Sequence, residues 1–260
     1  MKKLFLIASV SAFLIACNNE KKAEAPKNTD LIGQNLKGKV QHYEEMGYAV
    51  DSTGKIGKED SIINTQDYDE KGYQTVSSTK NPAGEVLTEG SSTHYEKGQT
   101  REFENKTKGK TTFKISIYLD SNGKYSYADS YDSSGKVTST YRNLAENEYG
   151  EILKGIEYKP DSTMKSAFES NYDKDGHYTG GIGKDSTGKE NYHSTLKLND
   201  KGDPIEEATM TVTKDTTKNE TVTYKYDTYD DKGNWTQRTT YNDKGKPTKI
   251  LKRTYTYYKD

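Results

Sequence analysis

A short turn phrase constrains the fold of this 260-residue chain more than any other feature. An Asp or Asn is followed by two variable residues and then by Gly, as in Asp69-Glu-Lys-Gly72. The side chain of the first residue caps the backbone two residues further on, and Gly supplies the positive φ that closes the turn. The phrase begins at Asp51, Asp69, Asn81, Asp120, Asp132, Asn147, Asp173, Asp185, Asn199, Asp230 and Asn242, with weaker versions at Tyr95 and Lys106. Each occurrence predicts a tight turn.

The spacing of the turn glycines predicts a repeat. Successive glycines of one set lie 25 to 27 residues apart, at positions 72, 98, 123, 150, 176 and 202. A second set falls between them, at positions 84, 109 and 135. The repeating unit is therefore a hairpin of about 26 residues, with a turn at each end and strands of about eight residues. The longer step from Gly202 to Gly233 predicts a longer loop around Lys214 to Asn219.

Apolar residues alternate with polar ones between these turns. Phe113, Ile115, Ile117 and Leu119 share one parity, as do Val222, Tyr224 and Tyr226. A period of two is typical of antiparallel strands with one buried face. The region 36–260 has room for roughly sixteen such strands, whereas open sheets rarely exceed about ten. The sequence predicts an all-β fold: a long antiparallel meander of hairpin repeats that forms one strongly curved or barrel-like sheet.

A transmembrane barrel is the alternative interpretation of this β-rich pattern. Its strands would need a continuous apolar outward band with aromatic girdles. Here the strands carry Thr, Lys, Asp and Glu on one face and only two to four apolar residues on the other. This pattern favours a sheet in water.

The N-terminus predicts export. Lys2 and Lys3 form a charged region before an apolar run of about a dozen residues, which is too short to cross a bilayer. Leu14-Ile15-Ala16-Cys17 resembles the lipobox of bacterial lipoproteins. This resemblance implies a signal peptide over 1–16 and a lipid on Cys17, the single cysteine of the chain. The expected partner at this site is the membrane itself, through the lipid.

The residues after Cys17 predict a tether. Residues 17–35 are polar and charged, and they have too few large apolar side chains to bury a core. We expect a disordered tether here, followed by a β-repeat domain over 36–260. Asn18 stands where an aspartate favours inner-membrane retention in Gram-negative lipoproteins, so the resemblance implies the outer membrane. It leaves open which face of that membrane the domain occupies.

The tyrosine–aspartate turns carry a second resemblance. Tyr131-Asp132-Ser-Ser-Gly135, Tyr172-Asp173-Lys-Asp-Gly176 and Tyr229-Asp230-Asp-Lys-Gly233 are similar to YD (Rhs-type) repeats. The run from Tyr229 to Tyr258 is similar to the C-terminal part of repetitive Bacteroidetes lipoproteins. The resemblance implies a wound sheet of hairpins. The chain lacks the toxin segment and the autoproteolytic motif of large Rhs shells.

Charge argues against nucleic acid as a partner. Removal of Lys2 and Lys3 from the 39 basic residues leaves 37 against 40 acidic ones. A net charge of 37 − 40 = −3 provides no basic footprint for nucleic acid.

No motif for catalysis, cofactor binding or metal binding stands out. His42, His94, His177 and His193 form no ligand pair or nucleophile motif, and no Gly-x-Ser-x-Gly elbow or His-Glu-x-x-His occurs. The Asp173 and Asp230 turns are calcium alternatives, but each offers one or two carboxylates whereas calcium takes six to eight oxygens. The sequence therefore predicts no catalytic residue, no cofactor and no metal.

The tyrosines leave two functions open. Tyr125, Tyr127 and Tyr131 are expected on one face, where they could stack on sugar rings or form cross-strand ladders. The favoured function is a non-enzymatic envelope protein that presents a surface for binding or scaffolding to an unknown protein or glycan. The alternative is a carbohydrate-active enzyme or glycan-binding protein of polysaccharide uptake. An enzyme would need two carboxylates that converge in a cleft.

Overall fold

A computed structural model describes residues 29–51 and 53–259. These residues form one short helix, α1 (Asp30–Gly33), and sixteen strands. The strands are β1 (Val40–Val50), β2 (Ile56–Tyr68), β3 (Gln74–Lys80), β4 (Val86–His94), β5 (Thr100–Thr107), β6 (Lys110–Leu119), β7 (Tyr125–Asp132), β8 (Val137–Glu146), β9 (Ile152–Tyr158), β10 (Met164–Tyr172), β11 (Tyr178–Lys184), β12 (Glu190–Leu198), β13 (Pro204–Val212), β14 (Thr217–Tyr229), β15 (Trp235–Tyr241) and β16 (Pro247–Tyr257).

The strands form a closed antiparallel barrel. Each strand pairs with its neighbours in the chain, and β1 pairs with β16, with Tyr43 opposite Tyr255. The predicted fold class is confirmed, and the strand number agrees with the estimate from the turn spacing. The sequence did not decide between a curved sheet and a closed barrel, whereas the structure shows closure.

The predicted turns are present. Every glycine that closes a predicted turn has a positive φ, between 68° and 96°. In the turn that begins at Asp69, the Asp69 carboxylate accepts hydrogen bonds from the backbone N–H groups of Lys71 and Tyr73. One further turn lies at 159–162, where Ser162 (φ 65°) takes the place of glycine. Sequence reasoning missed this turn because its signal was the glycine.

Two expectations are corrected. The predicted loop around Lys214 to Asn219 is wrong: the β13–β14 turn occupies only 213–216, and the additional residues extend β14 to 13 residues. The predicted boundary between tether and domain at residue 36 also moves. Residues 29–35 belong to the folded body, because α1 and the residues after it are hydrogen-bonded to the barrel. The predicted signal peptide, Cys17 and residues 18–28 lie outside the described residues.

The register defines two faces of the barrel wall, since residues directly opposite each other in a ladder share a face. Tyr43 lies opposite Gln66 and Tyr255, and the same face continues strand by strand to Phe103 and Ile115. Tyr43 packs against Leu36 and Val40, which belong to the N-terminal segment at one barrel end. This face is therefore the inner one.

The inner face of the barrel wall is only partly buried. A barrel of 16 strands is wide enough to leave an aqueous interior. Inner-face side chains such as Phe103, Ile115 and Ile117 are only half-buried. In residues 29–51 and 53–259, the barrel strands make their substantial contacts only with their neighbours in the ladder. Within the same ranges, no helix has the length and apolar character needed to span a bilayer.

Candidate binding site: the lumen and its two ends

The N-terminal segment closes one end of the barrel. We call residues 29–39 the seal. The Leu31 N–H donates to the Gly72 carbonyl oxygen (3.4 Å), at the β2–β3 turn. The Asn35 amide donates to Asp203 Oδ1 (2.7 Å), at the β12–β13 turn on a distant part of the wall. A single short segment reaches both turns only by crossing the mouth of the barrel.

Other contacts of the seal lie around the same mouth. Asp30 Oδ2 is 3.1 Å from His94 Nε2 and accepts a hydrogen bond from the Gln74 N–H (2.6 Å). Asn234 makes two hydrogen bonds to the Lys37 backbone, accepting from its N–H and donating to its carbonyl oxygen, each 2.8 Å. The seal is therefore fixed by polar contacts to turns on several sides of the barrel.

The seal also contributes to the main apolar cluster. Val40, at the start of β1, is fully buried, and Leu36 is 8% exposed. Both pack with Tyr43 and Tyr68, and Leu31 adds to the same cluster. Burial is the main reason that the pKa of Tyr68 is raised well above its usual value.

One carboxyl group beneath the seal, that of Glu151, has a raised pKa. A Cβ on Gly33 would collide with the Glu151 carboxylate, which shows how closely α1 lies over Glu151. Burial raises the pKa of Glu151, and the nearby Asp30 carboxylate raises it further. The Tyr172 hydroxyl opposes this shift by hydrogen bonding. Glu151 therefore binds its proton more tightly than an exposed glutamate does.

The turns at this sealed end are joined to one another around the ring. Tyr125 OH accepts from the Thr100 N–H (2.9 Å) and Tyr149 OH donates to the Lys174 carbonyl oxygen (2.9 Å). Further links are Tyr73 against Gly98, Gln99 to Gly123, Tyr125 to Glu146, His177 against Gly202, Tyr229 to Asp203, Tyr257 to Asp230, and Tyr258 to Tyr68. Each link connects one turn or terminus to the next.

The opposite end of the barrel is open. Its turns hydrogen-bond within themselves, as in the turn where Asp132 Oδ1 accepts from the N–H groups of Ser134 and Lys136. A Cβ added to Gly84, Gly135 or Gly188 would meet nothing within 4 Å. Among the described residues, no segment crosses this end.

The inner wall of β14 to β1 carries an aromatic and cationic cluster. The Arg253 guanidinium lies over the rings of Trp235 (4.0 Å) and Tyr43 (4.5 Å) and donates to Glu45 Oε2 (2.8 Å). Arg238 lies between Tyr224 (4.6 Å) and Trp235 (5.0 Å). These contacts stabilise the wall by cation–π interactions.

Two buried carboxylates lie in separate networks. Glu157, on β9, accepts hydrogen bonds from Ser139, Lys165 and Ser166, each 2.8 Å. Burial alone would raise the pKa of Glu157, but these hydrogen bonds outweigh it and lower the pKa. Asp203 is bound at the sealed end by Asn35 and Tyr229. The two groups therefore do not form an acid–base pair.

The residues considered for metal binding form an ordinary turn. Asp173, Asp175 and His177 each place one possible ligand atom within 4.8 Å of the others. However, Asp173 Oδ1 already accepts from the N–H groups of Asp175 and His177, and its Oδ2 lies 3.0 Å from His177 Nδ1. Three donors are fewer than calcium requires. The absence of a required metal stays a prediction.

The tyrosines expected on one face are divided. Tyr127 lies opposite Tyr118 on the outer wall and stacks on it, with ring centroids 4.4 Å apart. Tyr125 lies opposite the inner residue Leu119, because the register shifts between Tyr118 and Leu119. The grouping of Tyr125 with Tyr127 and Tyr131 is therefore wrong. Strict alternation from sequence could not show this β-bulge.

Comparison with known proteins shows the fold only. No family model matches the sequence, and neither does any curated protein. The chain is similar in structure to a porin-like protein from Bacteroides uniformis, with 14% identity, a TM-score of 0.53, and coverage of 84% of this chain and 96% of that one. A porin-like protein from Bacteroides vulgatus matches with 9% identity, a TM-score of 0.41, and coverage of 82% and 97%. At such identities the first likeness shows a shared barrel fold.

Proposed function

We propose that this chain is a lipid-anchored, non-enzymatic protein of the bacterial outer membrane whose barrel binds a ligand. The observation that carries the proposal is the position of the seal. Thr29, the first described residue, lies beside Gly72 at the sealed end. A lipid on Cys17 would therefore attach the barrel by the end that is already closed.

The length of the tether supports a defined orientation. Residues 18–28 separate Cys17 from the seal, and they span at most about 40 Å when fully extended. This reach limits the distance between the sealed end and the bilayer, so we expect the open end to lie farther from the bilayer on average. Because a diacylated anchor has more than one acyl chain, it holds a protein stably on a membrane.

The outer wall supports a barrel that stands in water. Ion pairs cross neighbouring strands on this face, including Lys114 with Glu102 (2.7 Å) and Lys197 with Glu206 (2.7 Å). Such pairs suit a solvated surface, whereas a lipid-facing wall needs an apolar band. The lipid, rather than the strands, is then the expected membrane attachment.

Glycan binding is the second candidate, and the outer tyrosines favour it. Tyr118, Tyr127 and Tyr131 form one cluster, in which Tyr127 is exposed and the other two are half-buried, beside a groove of about 600 Å³. Ser116 and Thr111 add hydroxyl groups to the groove. An aromatic surface with hydroxyl groups around it can stack on a sugar ring and hydrogen-bond its edge.

Membrane fractionation tests the anchor. We expect Cys17→Ser to leave the chain unlipidated and to shift it from the detergent phase to the aqueous phase or to unprocessed precursor. Asn18→Gln is the matched control, because it keeps the cysteine and should stay in the membrane. Detergent partitioning of Cys17→Ser equal to that of the native chain would overturn the anchor.

A fluorescence experiment tests the orientation. Dyes placed on Lys174→Cys, at the sealed end, and on Ser134→Cys, at the open end, are compared in vesicles that contain a lipid-borne quencher. We expect stronger quenching at position 174. Equal quenching, or stronger quenching at position 134, would contradict the orientation.

A further inference from the structure

The inner face of β6 is apolar from Phe113 to Leu119. Phe113, Ile115, Ile117 and Leu119 all lie on this face, and the register places Phe103 of β5 opposite Ile115. We call these five residues the apolar stripe. All five are half-buried, so part of their surface faces the lumen.

The rest of the inner wall nearby is polar or small. The inner positions of β3 and β4 include Ser77, Thr79, Thr88 and Gly90. Within the described residues, the backbone of β6 lies close only to those of its ladder neighbours β5 and β7, and the stripe keeps part of its surface exposed. A contiguous apolar surface in contact with water is unusual in a soluble protein and often marks a binding site.

The position of the stripe defines the shape of its ligand. The lumen is closed by the seal and walled by the sheet, which excludes a folded protein. From Phe113 to Leu119 the stripe extends about 20 Å. One leaflet of a bilayer contributes about 15 Å of hydrocarbon, half of its roughly 30 Å core. The stripe is therefore long enough for a single extended acyl chain.

Charge at the rim defines the other end of the ligand. β6 begins at the open end with Lys110, and Lys108 stands in the preceding β5–β6 turn. Both side chains are exposed, and Lys136 is exposed in the next turn along this rim. A carboxylate or phosphate at the rim would therefore meet several cations while its chain lies on the stripe.

We propose that the lumen binds the acyl chain of an anionic amphiphile, with the chain along the apolar stripe and the head group among the lysines at the open rim. A fatty acid and an anionic lysophospholipid share this chemistry. The inference rests on the proposed binding function and specifies its ligand class.

The test uses the mature polypeptide from Asn18 onward without a lipid, which contains every described residue. Binding of cis-parinarate, a fluorescent fatty acid, is measured by titration. We expect saturable binding, weakened at least about tenfold by Ile115→Asn because the polar amide interrupts the stripe. Ile182→Asn is the matched control: Ile182 lies opposite His193 on the outer face of β11, and its substitution should leave the affinity unchanged.

A second variant keeps the test independent of core packing. Lys110→Glu lies at the rim, and it should weaken binding of palmitate more than binding of the uncharged hexadecanol. Displacement of the probe by palmitate or by lysophosphatidylglycerol supports the proposal, and the stronger competitor identifies the source of the chain. No saturable binding, or equal loss in Ile115→Asn and Ile182→Asn, would overturn it. Because this polypeptide carries no lipid, either result is independent of the anchor on Cys17.

Discussion

The two ends of the barrel are built from the same turn, yet most turns at the sealed end contact other parts of the chain and most turns at the open end do not. At the open end, the turn that begins at Asp185 hydrogen-bonds only within itself, and Gly188 has open space around it. At the sealed end, the turn that begins at Asn199 has the same internal bonds. It also contacts His177 and Asn35 from other parts of the chain.

The difference between the two ends shows that the formation of a turn and the linking of one turn to the next depend on different residues. The Asx-x-x-Gly phrase makes a hairpin wherever it occurs, because its hydrogen bonds are local. Tyrosine hydroxyls and the seal then join the hairpins at one end into a ring. The ring stabilises that end, and the end without it remains accessible to a ligand.

The largest expected effect is at the apolar centre of the sealed end. Tyr68 is 2% exposed, and its hydroxyl lies within hydrogen-bond distance of Gln34 Oε1 (2.7 Å) and Gln66 Oε1 (2.6 Å). We expect Tyr68→Ala to lower the free energy of unfolding by about 3 to 5 kcal/mol. Urea denaturation measures this change. The control Tyr127→Ala, at a position 39% exposed, should cost about 1 kcal/mol or less. Equal losses of stability in the two variants would contradict a special role of the sealed end.

A smaller effect is expected where the seal is hydrogen-bonded. Asn234 follows a turn glycine at the sealed end and bonds to Lys37 and Tyr257. Asn234→Ala should cost about 2 kcal/mol, because it leaves the partly buried backbone N–H and carbonyl groups of Lys37 without this partner. Lys246 follows a turn glycine at the open end and is exposed. Lys246→Ala should cost less than about 0.5 kcal/mol in the same urea titration.

Turn glycines give a sharper comparison of the two ends. Gly188 and Gly202 have φ of 82° and 84°, so Ala at either position carries a backbone strain of about 1 to 2 kcal/mol. At Gly202 the new Cβ would also lie 2.7 Å from the His177 ring. Gly202→Ala should therefore lower the melting temperature more than Gly188→Ala. A lower melting temperature for Gly188→Ala than for Gly202→Ala would show that the contacts between turns at the sealed end leave room for an added side chain.

The smallest effect is a pH dependence at the seal. The pKa of Glu151 is raised from its ordinary value of 4.5 by burial and by Asp30. The native state therefore holds this proton more tightly than the unfolded chain does. Protonation of Glu151 favours folding at low pH, and this contribution to stability is lost as the pH rises through the raised pKa. Glu151→Gln should increase stability at neutral pH and leave it nearly unchanged below pH 4.5. Urea midpoints of the native chain and the variant, measured across this pH range, test the direction of the stability change. A Glu151→Gln variant that is less stable than the native chain at neutral pH would refute the prediction.

Sequence reasoning predicted the hairpins because their signals are local. The glycine spacing gave the strand number, and the alternation from Phe113 to Leu119 gave the inner face of β6 correctly. The seal could not be predicted, because residues 29–35 look too polar to fold alone. Its stability comes from distant partners such as Asp203 and Asn234, which are brought near only when the barrel closes.

Hydrogen exchange of the backbone amides tests the central claim, that the N-terminal segment closes one end of the barrel. The Leu36 N–H donates to the Leu31 carbonyl oxygen, and the Tyr258 N–H donates to that of Lys39. The account predicts that the amides of the seal exchange nearly as slowly as those of β1 and β16, and far more slowly than the turn at Gly188. Exchange of residues 30–39 as fast as that of the open-end turns would contradict it.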